Sequence, residues 1–560
     1  MATDAPGEST VASDDAAPEG AVAAGDAVEA PEEAGPEQRP FVETAAEWAA
    51  GLRFGRIPAP VRRAAAAQLT STVGAAVWTL DHPVGEHVLD TVRAEFPADE
   101  GATATLPGAG PMPVRGACYG AAALAMAMDF DDTVLGGHTG HSAALVPYLF
   151  AEAHAADLEY PGRRALRAHV AANEIAARIA SAAAVGPFRG QQTAYVHSVG
   201  AAVARGVVEG DDADTLADAI AIALGQPPWP LVPDFLGSDA KVLSAAEPTL
   251  TGLSAVSAAR NGLTGNPDIV AAEDGFLDEF SDLPLPEFLG GLGERWHTRA
   301  VTVKPYPGCA YVTAPVHAAL QVRKEVREAV APESDRAEIT GVRVDGSLFS
   351  HEVDRLANRY TDRTESPLAS LNFSIPYNVA VALRDGEHTP RQLRPERVGD
   401  EAVWELADRV HIEHDPEFTM RALRSEVPLG AMLRRVGWKV IPYSAKSVGP
   451  VTALKNLPTL LRFVRKRPLP DDLSGADKAM GARVTVRLAD GREFSETCEH
   501  PPGFAGRALD ETRAIARRKL SEAMVARGAE TDDAERIARA VRDVHETDAT
   551  LADVDAVLGP

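Results

Sequence analysis

The chain has 560 residues, a mass of 59.0 kDa and a formal net charge of −26, from 81 acidic and 55 basic residues. Its length allows two or three domains with sizeable cores, and its acidity excludes general nucleic-acid binding, which requires a basic face. Lysine is scarce, at nine residues against 46 arginines. Because salt screens the self-repulsion of such a surface, we expect a halophilic protein, with an ordinary acidic bacterial protein as the alternative.

The first part of the chain changes from a polar tail to a helical pattern. Residues 1–40 nearly lack large apolar side chains and cannot offset the entropy of ordering, so we predict a disordered acidic tail. A capping-box pattern, Thr44-Ala-Ala-Glu47, follows. Because alanine lets helices approach closely, residues 41–285 are predicted to form a large all-helical domain. Its predicted helices cover 61–78, 116–130, 142–156, 163–184, 193–208, 212–225 and 240–262.

The second part contains β-branched runs and more proline. The runs at 299–303, 339–344 and 483–487 alternate as half-buried strands do, and helical patterns lie between them at 312–330 and 367–384. Residues 286–505 therefore form a predicted smaller α+β domain, and 506–560 form C-terminal helices that return to the helical domain. The predicted fold class is mainly α with α+β.

A basic insertion, 421–478, stands out within the second domain. Its first part, 421–467, has eleven Lys or Arg residues and a single acid, Glu426, with aromatic and aliphatic residues between them. Such a stretch can dock on a membrane or an acidic partner. We favour packing on the protein's own acidic surface or on a second subunit over membrane contact.

The compartment is predicted from cysteines and hydropathy. Cys118, Cys309 and Cys498 form no disulfide framework, which indicates a reducing interior. The longest apolar stretch, 116–128, is too short to span a bilayer, and no signal-peptide pattern opens the chain. We expect a cytoplasmic protein.

Two lysines occupy unusual positions. Lys241 is the only lysine among the first 303 residues, and the next is Lys304, in Lys304-Pro-Tyr-Pro-Gly-Cys309. A lysine ammonium is a compact charge that can donate and titrate in a small pocket. The alternative is that lysine was lost through a drift in composition and that these two lysines remained by chance.

The richest local motif is Asp129-Phe-Asp-Asp-Thr133, followed by a glycine-rich loop that carries His138 and His141. Crowded carboxylates and imidazoles can shift one another's pKa values toward neutrality, as acid–base chemistry requires. A purely structural role, with capping aspartates and buried histidines, is the alternative. The aspartates and histidines could ligate a metal, but no specific metal motif is present, and we expect none.

These segments, taken in order, resemble the MmgE/PrpD family, which includes 2-methylcitrate dehydratase, cis-aconitate decarboxylase and iminodisuccinate epimerase. The resemblance covers roughly 41–415 and 480–557. No single motif carries it, but the ordered set is specific. The matching segments are 69–74, 127–133, 174–178, 237–241, 262–267, 304–309 and 373–377.

The resemblance implies an enzyme with no organic cofactor or obligatory metal that acts on small di- or tricarboxylates. It also implies a homodimer, with the site in the cleft between a helical domain and an α+β lid. The lysines would hold substrate carboxylates, His138 or His141 would be the acid–base group, Asp129 would orient the imidazole, and Thr133 would donate a hydrogen bond. The active-site positions of the family fall on Asp129, Thr133, His138, His141, Lys241 and Lys304.

The chain also departs from the family pattern. A histidine common after the Glu/Arg helix is replaced in Phe188-Arg-Gly-Gln-Gln-Thr193, where Gln191 or Gln192 cannot titrate and Arg189 could anchor a carboxylate instead. The leading interpretation is a hydro-lyase of the 2-methylcitrate dehydratase type, from propionate metabolism. The alternatives are a decarboxylase or epimerase on a related polycarboxylate, and a non-catalytic paralogue that binds a carboxylate or a partner.

Overall fold

The structure is a computed structural model that describes residues 39–97, 101, 103–134, 140–186, 191–329, 338–425, 429–461, 469–547 and 549–558. Three predictions therefore lie outside the described residues: the acidic tail up to residue 38, His138 and Arg189. The side chain of Gln191 is not described either. Residues 40–560 form one compact unit.

The N-terminal half packs alanine-rich helices into one large core. Helix α7 contacts α5, α6 and α10, and α4 contacts α2, α5 and α10. The helices approach closely: a Cβ at Gly252 of α10 would lie 2.1 Å from the carbonyl oxygen of Ser198 in α7, so only glycine fits there. The helices are α1 (Phe41–Gly51), α2 (Ala59–Thr79), α3 (Pro83–Glu95), α4 (Val114–Ala127), α5 (Gly140–Ala153), α6 (Pro161–Ala183), α7 (Gln191–Glu209), α8 (Ala213–Leu224), α9 (Val232–Gly237), α10 (Leu243–Arg260) and α11 (Phe276–Phe280).

The strands form two short ladders and one larger sheet. An antiparallel hairpin joins β1 to β2, and a two-residue ladder joins β3 to β4. The larger sheet has the order β6-β5-β7-β8, in which β5 and β6 are parallel and the other pairs are antiparallel. The strands are β1 (Thr103–Leu106), β2 (Gly110–Pro113), β3 (Asp132–Thr133), β4 (Thr302–Val303), β5 (Ile339–Gly346), β6 (Val410–His414), β7 (Ala482–Leu488) and β8 (Glu493–Cys498).

A second apolar core lies where this sheet packs against helices. Apolar residues of α12 and α15 are buried with those of β5 and β7, so the alternate residues of each strand have an apolar partner layer. The helices of this region are α12 (Thr313–Ala329), α13 (Leu348–Ala357), α14 (Leu368–Leu371), α15 (Ile375–Asp385), α16 (Pro395–Val398), α17 (Glu401–Ala407) and α18 (Pro416–Arg424).

The basic segment forms short helices that lie partly on the protein's own surface. Lys446 pairs with Asp282 at 2.6 Å, and Tyr443 donates a hydrogen bond to the carbonyl of Gly186 at 3.1 Å. Trp438 nevertheless remains 65 % exposed. These helices are α19 (Leu429–Val436), α20 (Val440–Val448), α21 (Pro450–Lys455) and α22 (Leu457–Leu460).

The chain ends in helices that pack against α2. Helix α23 runs along α2, and at Gly74 a Cβ would lie 3.0 Å from the backbone nitrogen of Leu520. This contact brings Lys519 next to the helical core. The last helices are α23 (Leu509–Ala526), α24 (Thr531–Arg542), α25 (Val544–Thr547) and α26 (Leu551–Asp555).

The predicted fold class, mainly α with α+β, is confirmed. The predicted capping box is wrong: α1 begins at Phe41 after Pro40, and Thr44 lies inside the helix with its hydroxyl donating to the Pro40 carbonyl at 3.2 Å. Within the described residues, no helix combines the length and apolarity needed to cross a bilayer. The three cysteines are free thiols.

Candidate active site

The site is built on the segment from Asp129 to Thr133, which lies just after α4. Helix α4 ends at Ala127, and Asp129 has a φ of +50°, a left-handed conformation that is uncommon outside glycine. Two contacts from the other half of the chain hold this turn: the Gly308 nitrogen donates to the Met128 carbonyl at 3.0 Å, and the Asn372 amide donates to the Ala127 carbonyl at 2.8 Å. The strained turn is therefore anchored by long-range packing.

The β3–β4 ladder places Lys304 beside the aspartates. Asp132 pairs with Val303 and Thr133 with Thr302, so the residue after β4 lies opposite Asp131. The Lys304 ammonium donates to the Asp129 carbonyl at 2.7 Å, to Asp129 Oδ1 at 3.2 Å and to Asp131 Oδ1 at 3.1 Å. Burial by itself would lower the pKa of Lys304, but these two carboxylates outweigh burial and raise the pKa above its ordinary value.

Lys241 contacts the same Asp129 carboxylate through its other oxygen atom. It lies in a short 3-10 turn, 239–242, before α10, and its ammonium is 3.3 Å from Asp129 Oδ2 and 3.0 Å from the Met126 carbonyl. Lys241 and Lys304 therefore converge on Asp129, with both side chains buried. The structure brings together the two lysines that the composition had singled out.

His141 lies beside Asp131. Its Nδ1 atom lies 3.4 Å from Asp131 Oδ2. Asp129, the carboxylate that was expected to orient an imidazole, contacts the two lysines.

A second imidazole lies beside His141. The rings of His141 and His197 have centroids 5.1 Å apart, and His197 Nδ1 is 3.3 Å from the Ser142 hydroxyl. Gly140 makes this approach feasible, because a Cβ there would lie 2.4 Å from His197 Nδ1. His197 comes from α7, after the segment where the family histidine is missing. The site thus contains an imidazole pair.

Two further lysines enter the site from the C-terminal part of the chain. Lys478 donates to the Thr133 hydroxyl at 2.6 Å. Lys519 donates to the Ser71 hydroxyl at 2.7 Å and to the Phe130 carbonyl. Both side chains are buried, and sequence reasoning missed both. The available signal in the sequence was the scarcity of lysine, which makes each lysine worth considering. The described lysines outside this cluster are all exposed, namely Lys324, Lys439, Lys446 and Lys455.

A buried network of neutral polar side chains contacts Asp132. The Gln68 amide donates to Asp132 Oδ2 at 2.7 Å and to Asn173 Oδ1 at 3.3 Å, and its oxygen lies 3.0 Å from His169 Nε2. Burial lowers the pKa of His169 to about 3, so this imidazole is neutral. Asp132 is buried, and its contact with Gln68 holds the segment in place.

A metal does not fit this set of side chains well. Ligand atoms of Asp131, Asp132 and His141 lie within 4.8 Å of one another, as a metal site would require. However, Asp131 already accepts a hydrogen bond from the Lys304 ammonium, and Asp132 accepts one from the Gln68 amide. A divalent cation would sit next to that ammonium and be repelled by it.

Two family models match the chain, that of the MmgE/PrpD N-terminal domain at residues 43–289 and that of the MmgE/PrpD C-terminal domain at residues 306–434. Together they cover most of the chain, which therefore belongs to the MmgE/PrpD family. Comparison with curated proteins gave no match. Lys241 and the motif from Asp129 to His141 fall within the first matched range, Lys304 falls between the two, and Lys478 and Lys519 fall after the second.

Proposed function

We propose that this member of the MmgE/PrpD family is a cofactor-independent lyase that dehydrates a small tricarboxylate such as 2-methylcitrate. The family supports dehydratase- or decarboxylase-type chemistry. The observation that carries the proposal is the convergence of Lys241 and Lys304 on Asp129, beside the imidazole of His141. Such a site offers cations for an anionic substrate and a group that can transfer a proton.

The lysines divide two tasks. Lys304 uses three N–H donors on Asp129 and Asp131, so we assign it to holding these carboxylates ionised and in place. Among the described residues, the Lys241 ammonium contacts two oxygens, the Met126 carbonyl and an Asp129 carboxylate oxygen. Its third N–H donor is available for a substrate carboxylate. The sequence had suggested substrate binding for both lysines.

Proton transfer falls to the imidazoles. In a dehydration, a base removes the proton from the carbon next to a carboxylate, and an acid protonates the hydroxyl that leaves as water. The Asp129 carboxylate contacts two ammonium groups, and we assign it an orienting role rather than that of the base. His141, held by Asp131, is the proton donor for the leaving hydroxyl in this proposal, and the neighbouring His197 is the base. Both rings are fully buried, so the substrate must displace residues that cover them.

The expected partners follow from the same proposal. The substrate is a di- or tricarboxylate, and the protein is a homodimer that binds no nucleic acid. The negative charge of the chain repels such substrates at long range, and salt weakens that repulsion. Activity should therefore be greater at high ionic strength.

An assay of the purified full-length chain tests the function. The protein is incubated with 2-methylcitrate, citrate or cis-aconitate at low and molar salt, and unsaturated product is followed in the ultraviolet. Lys241→Met is the inactive variant, and Lys324→Met, which removes an exposed lysine, is the matched control. Release of carbon dioxide would indicate a decarboxylase. Inversion of a stereocentre of the substrate, with neither water nor carbon dioxide released, would indicate an epimerase.

A specific observation supports one further alternative, a non-catalytic paralogue. The histidine common after the Glu/Arg helix is absent from the 188–193 segment. A thermal shift caused by a tricarboxylate, without turnover of any substrate, would favour this reading. Absence of both binding and turnover would refute a carboxylate site altogether.

A further inference from the structure

Four lysines are buried around the segment from Asp129 to Thr133, and three of them are satisfied by oxygen atoms of the protein. Lys304 donates to three such oxygens, and Lys241 lies within reach of two, one of them a carboxylate. Lys519 donates to the Ser71 hydroxyl and to backbone carbonyls. A buried ammonium is stable only when such partners replace its water shell.

Lys478 is different from the other three. Among the described residues, its ammonium has one hydrogen-bond acceptor, the Thr133 hydroxyl at 2.6 Å, and the Phe504 ring at 5.3 Å. An ammonium has three donors, so two of them have no acceptor within the described structure. The side chain is only 3 % exposed, so bulk water does not supply the missing acceptors.

The charges around Lys478 leave it without a matched counter-ion. Burial, together with the nearby Lys304 ammonium, lowers its pKa to about 7. Cys309, Asp132 and Asp131 act in the opposite direction but do not outweigh burial. Asp131 accepts a hydrogen bond from Lys304 and Asp132 accepts one from the Gln68 amide, and among the described residues no ion pair joins either carboxylate to Lys478.

We propose that Lys478 is a substrate-binding residue whose ammonium, held in position by Thr133, donates its two remaining N–H groups to a carboxylate of the substrate. The proposal rests on the proposed function, which makes the ligand a polycarboxylate. Thr133 is then a positioning residue for Lys478, in addition to any hydrogen bond it gives the substrate. Because Lys478 lies outside both family-matched ranges, this contact would be a contribution of the C-terminal segment to substrate choice.

The geometry supports this assignment over a purely structural one. A buried ammonium without a counter-ion destabilises the fold, because it loses its water shell. An apolar residue of similar size would anchor the segment without that penalty. A substrate carboxylate supplies the missing counter-ion and two acceptors in the geometry that carboxylates prefer. The backbone of Lys478 is held independently, since its nitrogen donates to the Ala505 carbonyl at 3.0 Å.

Calorimetric titration of the full-length protein with propane-1,2,3-tricarboxylate tests the proposal. This probe has three carboxylates but no hydroxyl to eliminate, so binding is measured without turnover. The variants are Lys478→Met, Lys478→Arg, which keeps a cation, and Lys324→Met as the exposed-lysine control. Melting temperatures verify folding, and we expect Lys478→Met to melt at or above the wild-type temperature, because it removes a buried unpaired charge.

The expected result has two parts. Lys478→Met weakens binding about 10- to 100-fold, as expected for lost hydrogen bonds to a charged group, whereas Lys478→Arg retains most of the affinity. Wild-type affinity falls as pH rises through about 7, because the ammonium is lost, and the Arg variant does not show this fall. Lys324→Met binds like the wild type.

The outcomes separate the two proposals. If the wild type binds the probe and Lys478→Met binds it equally well, Lys478 is structural and the inference is wrong, while the proposed function stands. If the wild type neither binds the probe nor turns over any polycarboxylate, the proposed function fails and the inference fails with it. A pH dependence that survives unchanged in Lys478→Arg would also overturn the inference.

Discussion

Replacing Lys304 by Met should destabilise the protein strongly, because it leaves two carboxylates without their shared partner. The ammonium makes three hydrogen bonds at 2.7 to 3.2 Å, two of them to the carboxylates of Asp129 and Asp131, and it is fully buried. Removal of one member of a buried ion pair costs about 3–5 kcal/mol. Asp129 retains its contact with Lys241, so the value should lie toward the lower end of that range.

The free energy of unfolding is measured by urea denaturation of the full-length protein, with Lys324→Met as an exposed control that should change it by less than about 0.5 kcal/mol. The double variant Lys304→Met/Asp131→Asn provides the sharper test. Because Asp131→Asn removes the charge of one of the two carboxylates that Lys304 contacts, it should recover part of the loss, with a coupling energy of about 1–3 kcal/mol. A loss below about 1 kcal/mol for Lys304→Met, or simple additivity in the double variant, would refute this reasoning.

Three further predictions concern turnover, the Glu174 cluster and pH. Lys241→Met should abolish turnover without unfolding the protein, since Asp129 keeps its contacts with Lys304; unchanged activity in the product assay would contradict the assignment. Glu174→Ala should lower the free energy of unfolding by about 3–5 kcal/mol, because the buried Glu174 accepts four hydrogen bonds. A denaturant titration that shows no change beyond experimental error would contradict this prediction. Burial raises the pKa of Asp354 to about 7, so the folded state keeps a proton that the unfolded chain releases, and stability falls as pH rises from about 4 to 7. Melting curves across this range should show a smaller fall in Asp354→Asn than in the wild type, and parallel falls would disprove the link.

Local pattern predicted most helices but fewer strands. The alanine-rich periods gave helix positions within a few residues, as for α6 at Pro161–Ala183. The predicted strand at 299–303 is shorter than expected, because a 3-10 turn at His297–Ala300 takes its first two residues and only Thr302–Val303 pairs with β3. The predicted helix at 367–384 is interrupted before Ile375, where Ser374 caps a new helix. Strand β8 was missed because most of its side chains are exposed or half-buried, which leaves little apolar alternation to detect.

The candidate site was predictable in part. Composition and motif order drew attention to Asp129, Thr133, His141, Lys241 and Lys304, and the structure brings all five into one buried cluster. Their convergence was an expectation, since no local pattern relates residues so far apart. The contact between Asp131 and His141 joins residues from two different elements, and the sequence alone does not reveal it.

The sequence by itself determined the fold class, the family and the residue types of the site, because composition, periodicity and motif order are properties of the chain. Only the tertiary structure decided which ammonium meets which oxygen. Lys478 reaches Thr133 across 345 residues, and Lys519 reaches Phe130 across 389. Pairing of this kind depends on how the C-terminal segment packs against α2 and on the β3–β4 ladder, and such packing arises from the whole core rather than from any local pattern.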